Sequence, residues 1–106
     1  MSIIGKLMKH GIGFGIAYGS ATGPDSDTVV SAGSSGTITI SITSPFTKAR
    51  MAISKISGLP DNVEIKGWSF DGDDTLEIYV MNTGGSDVTV SANSVSVEYM
   101  LFEIPS

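Results

Sequence analysis

Three carboxylates surround one glycine in the segment SFDGDD, residues 69–74, and they belong to Asp71, Asp73 and Asp74. Calcium sites use closely spaced carboxylates with a glycine turn, because a hard cation binds several oxygen ligands. This segment lacks the register and the terminal glutamate of an EF-hand loop, and Asp-Gly between two strands is also a common hairpin turn. We therefore expect a solvated turn, with a calcium site at these three residues as the weaker alternative.

Nucleophilic catalysis has little support in this chain. A hydrolytic triad would need the single histidine, His10, together with a serine and an acid, and no serine lies in a nucleophile elbow. The letters GIGFG at residues 11–15 match part of a nucleotide-binding fingerprint, but they follow a helix-like segment rather than a strand. The chain has no cysteine, which excludes a disulfide framework and a thiolate metal site. We expect a non-enzymatic protein with no cofactor.

Three aromatic residues could form a sugar-binding platform on the face of a sheet, and they are Trp68, Phe70 and Tyr79. Aromatic rings in a β-rich domain more often fill the core, because each buries a large apolar area. Core packing is therefore the preferred interpretation. A carbohydrate-binding module is the least favoured of the non-enzymatic functions.

Charge is divided unevenly along the 106 residues. Residues 1–23 carry Lys6 and Lys9 and no acid, whereas residues 24–106 carry four basic and eleven acidic residues, a net charge of −7. An acidic body repels phosphate backbones, which argues against nucleic acid as a partner. The longest uncharged apolar stretch, residues 11–21, is also too short for a membrane-spanning helix of about 20 residues. We expect no nucleic-acid partner and regard membrane binding as improbable.

The segment GIGFGIAYG, residues 11–19, alternates strictly between large apolar and small residues. In an extended chain its large side chains share one face, and they are Ile12, Phe14, Ile16 and Tyr18. The opposite, glycine-rich face would let another backbone approach closely. We predict that residues 1–23 form a docking arm, with an ordinary edge strand and a membrane-active peptide as the alternatives.

The elements around this segment differ in period. Four apolar residues recur at helical spacing and predict a short helix at the start of the arm: Ile3, Ile4, Leu7 and Met8. The polar stretch SATGPDSD, residues 20–27, predicts a linker or turn. If the arm is separate in this way, residues 24–106 should fold without it.

From Thr28 onward, apolar and polar residues alternate in short segments, which predicts short strands separated by turns. The clearest is TITISIT, residues 37–43, with isoleucine on one face and threonine or serine on the other. Shifts of parity predict a bulge near Ser54 and Lys55 and another change of phase at Gly67. No internal repeat of fixed period is apparent. We predict an all-β fold, an antiparallel β-sandwich of jelly-roll or Ig-like type, with seven strands in residues 24–106 and an eighth from the arm.

The last predicted strand, SVSVEYMLFEI, is apolar on both faces in its second half. Val95, Val97, Tyr99 and Leu101 share one face, and Met100, Phe102 and Ile104 lie on the other. A strand of this kind is covered on both sides, by its own chain or by a neighbour. We predict that Met100, Phe102 and Ile104 bind a partner, as do the four large side chains of the arm.

Residues 48–99 resemble small β-sandwich domains of phage and other virus structural proteins, such as capsid decoration proteins and head or tail fibre modules. The features that carry the resemblance are SGLPDNVEI, DDTLEIYVMNTGGSDVTV and a closing strand with alternating valines. The resemblance implies no catalytic residues. It implies a virion structural protein that assembles with copies of itself and with other virion proteins.

A subunit of an extracellular filament or surface layer is the alternative function, with an extracellular or cell-surface location in place of the virion. In either case the expected mechanism is burial of apolar surface between copies, with backbone pairing at strand edges. The sequence therefore predicts a homo-oligomer.

Overall fold

The computed structural model describes residues 15–105, and these form eight β-strands with no helix among them. The all-β class and the antiparallel pairing are confirmed, because every strand pair is antiparallel. The predicted short helix at Ile3–Met8 lies outside this range. The strands are β1 Ile16–Gly23, β2 Thr28–Val30, β3 Ser35–Ser41, β4 Ala49–Ser57, β5 Val63–Phe70, β6 Thr75–Asn82, β7 Val88–Val90 and β8 Val95–Glu103.

The strands form two three-stranded sheets and a short ribbon. The β8 sheet has the order β1-β8-β4, the β6 sheet has the order β3-β6-β5, and β2 pairs with β7 in the ribbon. The two central strands supply much of one shared core, with Leu76, Ile78 and Val80 from β6 and Val95, Val97, Tyr99 and Leu101 from β8. Alternation with a period of two places these residues on one face of each strand, as the sequence predicts.

Both predicted changes of parity are confirmed as irregularities of register. The pairing of β4 with β8 shifts between Ile53 and Lys55, and the pairing of β5 with β6 shifts between Ile65 and Gly67. A bulge inserts one residue into a strand, so the apolar side chains on both sides of it can face the core.

The strand β1 turns its small residues inward and its large ones outward. Ala17 and Ala21 pack against the core, and Gly19 lies over the ring of Tyr99, where a Cβ atom would stand only 2.6 Å from the phenol oxygen. Ile16 and Tyr18 point to the other face. The predicted linker at residues 20–27 is wrong in its first half, because β1 continues to Gly23 through its pairing with β8.

An internal near-repeat that the sequence analysis missed surrounds the ribbon. The segment DTVVSAGS begins at Asp27, and DVTVSANS begins at Asp87. Their hydrogen bonds are reciprocal: the Ala32 amide donates to the Asp87 carboxylate at 2.9 Å, and the Ala92 amide donates to the Asp27 carboxylate at 2.8 Å. Each aspartate therefore caps the turn that follows the partner strand of the ribbon.

The two sheets approach each other on one side and stay apart on the other. On the first side β1 lies against β3. On the second side β4 and β5 are both edge strands, each paired along one edge only within residues 15–105. This second side carries a cavity, which is described below.

Candidate functional site

An apolar patch lies on the outer face of the β8 sheet. Ile16 is the cross-strand partner of Phe102, and Tyr18 is the partner of Met100. Side chains directly opposite each other in an antiparallel pair lie about 5 Å apart at Cβ, so these four residues form one surface. We call Ile16, Tyr18, Met100 and Phe102 the outer patch. Tyr18 is 69% exposed, and the other three side chains are half-buried.

The outer patch unites two groups of residues that the sequence predicts separately as partner-binding. Two members come from the alternating segment of the arm and two from the last strand. The third residue predicted in the last strand, Ile104, lies just beyond the end of β8, where its amide donates to the Lys48 carbonyl at 3.0 Å. Ile12 and Phe14 lie outside the described residues.

The neighbours of the outer patch within the sheet are small or charged. On β4, Ala52 is the cross-strand partner of Met100, and Arg50 is the partner of Phe102. Further along β8, Glu98 lies opposite Ser20 of β1 and Lys55 of β4. The arrangement is an apolar centre with a polar rim, which is the usual anatomy of a protein–protein contact surface.

The acidic segment is a hydrogen-bonded turn between β5 and β6. The Oδ1 atom of Asp71 accepts hydrogen bonds from three backbone amides, those of Asp73 at 2.8 Å, Asp74 at 3.0 Å and Thr75 at 3.1 Å. These bonds, led by the one from Asp73, hold the pKa of the Asp71 carboxyl below its ordinary value of 3.8. No group of three acidic or histidine side chains within residues 15–105 is placed to hold a metal ion.

The same turn joins the two sheets at one end of the open side. The Gly72 carbonyl accepts a hydrogen bond from the amide of Ala49, the first residue of β4, at 2.8 Å. Beside this contact lies a cavity of about 460 Å³ between the edge strands. Its lining includes Arg50 and Met51 from β4, Trp68 and Phe70 from β5, and also Asp71 and Ile104.

Core packing, the preferred interpretation of Trp68, Phe70 and Tyr79, holds only for Phe70, since the other two are each 39% exposed. The alternative, one aromatic platform made by all three, is not formed. Trp68 and Phe70 lie opposite Ile78 and Leu76 of β6, on the face of the sheet that turns toward the core. Tyr79 is on the opposite face, because it alternates with the buried residues of β6, and its hydroxyl lies 2.7 Å from the Ser69 hydroxyl. Met51, which lines the cavity from the other sheet, is not predicted from the sequence as part of a site.

The chain has no match among protein-family models, curated proteins or solved structures. Residues 15–105 contain no helix long and apolar enough to cross a membrane. His10, the one histidine of the chain, lies before the described residues.

Proposed function

We propose that this chain is a non-enzymatic structural protein of a virion, and that copies of it associate through the outer patch. The observation that carries the proposal is a cluster of four large apolar side chains, one exposed and three half-buried, on a sheet face outside the core. An apolar surface with a polar rim is a typical site of protein association. We infer that the two sheets form an antiparallel β-sandwich, of jelly-roll or Ig-like type, that presents this surface.

The charge distribution favours a second copy as the occupant of the outer patch. The first 23 residues carry Lys6 and Lys9 and no acid, and the rest of the chain has a net charge of −7. The start of one copy is therefore attracted to the body of another, whereas two bodies repel each other. Ile12 and Phe14 continue the apolar alternation of Ile16 and Tyr18 in the sequence, and we assign them to the same contact.

The virion assignment is supported by the resemblance of residues 48–99 to phage and virus structural domains. Decoration, minor capsid and fibre proteins act by docking, and a small domain with one apolar outer face is suited to that role. Other virion structural proteins are the further partners that this role implies.

Light scattering coupled to size-exclusion chromatography tests the proposal. We expect the parent chain to run as a multiple of its 11.0 kDa mass. The double substitution Tyr18→Ser and Met100→Ser should give the single-chain mass with an unchanged circular dichroism spectrum. Each lost side chain contributes about 1.5–3 kcal/mol when buried, so the dissociation constant should rise at least about a hundredfold.

The matched control is Val29→Ser, which removes a side chain that is 61% exposed on β2, away from the outer patch. The control should assemble like the parent. A parent chain that stays monomeric at about 1 mM would refute self-association through the outer patch. Equal assembly of the double variant and the parent would instead place the contact elsewhere.

A further inference from the structure

We infer that the cavity between β4 and β5 is a saccharide-binding site. This site is on the open side of the molecule and is separate from the outer patch, so the inference does not depend on self-association. It rests on three features of the lining: an exposed indole, an apolar floor and one fixed carboxylate at the rim.

The indole of Trp68 is available for stacking. Trp68 turns toward the inner side of the β6 sheet, yet it is 39% exposed, because no strand covers the gap between β4 and β5 within residues 15–105. Phe70 and Met51 extend the apolar surface beside it. The C–H face of a sugar ring packs on an aromatic face of this kind, and a cavity of about 460 Å³ has the size of a small-ligand site.

The polar group at the rim matches a hydroxyl of a sugar. Asp71 is held in place by the three amide bonds to its Oδ1, while its Oδ2 makes no hydrogen bond within the described residues. A fixed carboxylate oxygen accepts hydrogen bonds at little entropic cost. Such an acceptor beside an aromatic ring suits a hydroxyl on the edge of a sugar that stacks on the ring.

Electrostatics keeps the acceptor in its charged form. The amide bonds that lower the pKa of Asp71 leave it ionised at neutral pH, so it acts as an acceptor only. Its negative charge disfavours an anionic ligand, whereas the hydroxyls of a neutral sugar can donate to it.

An added peptide strand fits this side poorly. Strand addition needs a regular edge with a continuous row of free backbone groups. The register of β4 is interrupted between Ile53 and Lys55, and that of β5 between Ile65 and Gly67. Bulges and lysines at an edge are features that oppose strand addition, and Lys55 and Lys66 stand at these two interruptions.

Tryptophan fluorescence of the full chain tests the inference, because Trp68 is the only tryptophan. The probes are cellohexaose, chitohexaose, maltohexaose and mannohexaose, together with a synthetic peptide of residues 9–19. We expect a saturable change of emission with at least one saccharide, with a dissociation constant below about 1 mM. The peptide should give no saturable change.

One variant separates the site from a general effect on the fold. Asp71→Asn keeps an Oδ1 acceptor for the turn while it removes the charge. It should weaken saccharide binding about tenfold or more, with an unchanged circular dichroism spectrum. Tyr79→Ser, on the opposite face of the same sheet, should bind like the parent.

Three results would overturn the inference. The first is the absence of a saturable response to every saccharide up to about 10 mM. The second is a saccharide response that Asp71→Asn leaves unchanged. The third is a response to the peptide alone, which would assign the cavity to a protein segment.

Discussion

The substitution Asn82→Asp tests how the core is held together at its one buried polar side chain within residues 15–105. Asn82 is 0% exposed, and its Nδ2 donates to the carbonyls of Val30 at 3.0 Å and Ser86 at 2.7 Å. Its Oδ1 accepts from the Gly84 amide at 2.9 Å. One side chain therefore ties β6 to β2 and to the loop that leads into β7.

The substitution keeps the shape and the Oδ1 acceptor but replaces a double donor with an oxygen. The Val30 carbonyl is buried and loses its partner, which costs about 1–3 kcal/mol. Ser86 is exposed, so water can replace part of the second bond. Burial of a new carboxylate beside two carbonyls adds a further penalty. We expect a total loss of about 3–5 kcal/mol at neutral pH, a large part of the about 5–15 kcal/mol that stabilises a typical domain.

The loss should also depend on pH, and the sign follows from burial. Desolvation raises the pKa of the introduced carboxyl above its value in the unfolded chain. The folded variant then binds more protons than the unfolded one, so its stability falls as pH rises through this window. The deficit should be full above the raised pKa and should shrink toward about pH 4, where a protonated carboxyl can again donate.

Urea unfolding followed by circular dichroism measures the effect at neutral and acidic pH. The control is Asn93→Asp, at an exposed position whose Oδ1 accepts only a long bond of 3.5 Å from the Thr22 hydroxyl. This control should change stability by less than about 0.5 kcal/mol. A cost below about 1 kcal/mol for Asn82→Asp at neutral pH, or a cost that does not vary with pH, would show that the amide does not organise the core.

Three further expectations concern the turns. In thermal unfolding, Gly58→Ala should lower the stability by about 2–4 kcal/mol, because φ is 90° at this residue and a Cβ atom would meet a carbonyl of the β7–β8 turn. The control is Gly85→Ala, which should cost less than about 0.5 kcal/mol because no atom lies within 4 Å of its Cβ position. At neutral pH the parent should have a higher melting temperature than Asp71→Asn. Because the pKa of Asp71 is lowered in the folded state, this stabilisation is present above pH 3.8 and is lost as the pH falls through the lowered pKa. Equal differences in melting temperature at pH 7 and pH 2 would contradict this expectation. In urea unfolding, Asp27→Ala and Asp87→Ala should each lower the stability by about 1 kcal/mol. The two losses should be similar because the two aspartates make reciprocal hydrogen bonds, and strongly unequal losses would refute that equivalence.

Local alternation predicted most of the strands and both bulges correctly. The inner residues of β6 alternate regularly, and the parity changes beside Lys55 and Gly67 indicate where an extra residue enters a strand. These features depend on neighbours along the chain, which a sequence contains directly. The error at residues 20–27 has the same origin: Ala21 and Gly23 are weak strand formers, and pairing with β8 makes this segment a strand.

The candidate sites needed information that no local pattern contains. Tyr18 and Met100 are 82 positions apart in the numbering, and only the register of β1 with β8 makes them neighbours. The cavity likewise combines Arg50 with Trp68 across two sheets. Register and sheet packing are tertiary properties, so the sequence predicts which residues are apolar but not which of them meet.

The inverted faces of β1 explain why we assign its large side chains to a partner. An amphipathic strand ordinarily buries its large residues and exposes its small ones. Here the Tyr99 ring occupies the space beneath Gly19, and burial of this ring raises the pKa of its phenol. Small residues are therefore required on the inner face, while folding places no such requirement on Ile16 and Tyr18. Apolar side chains that the core does not use are costly to expose, and the burial between copies that we propose would remove that cost.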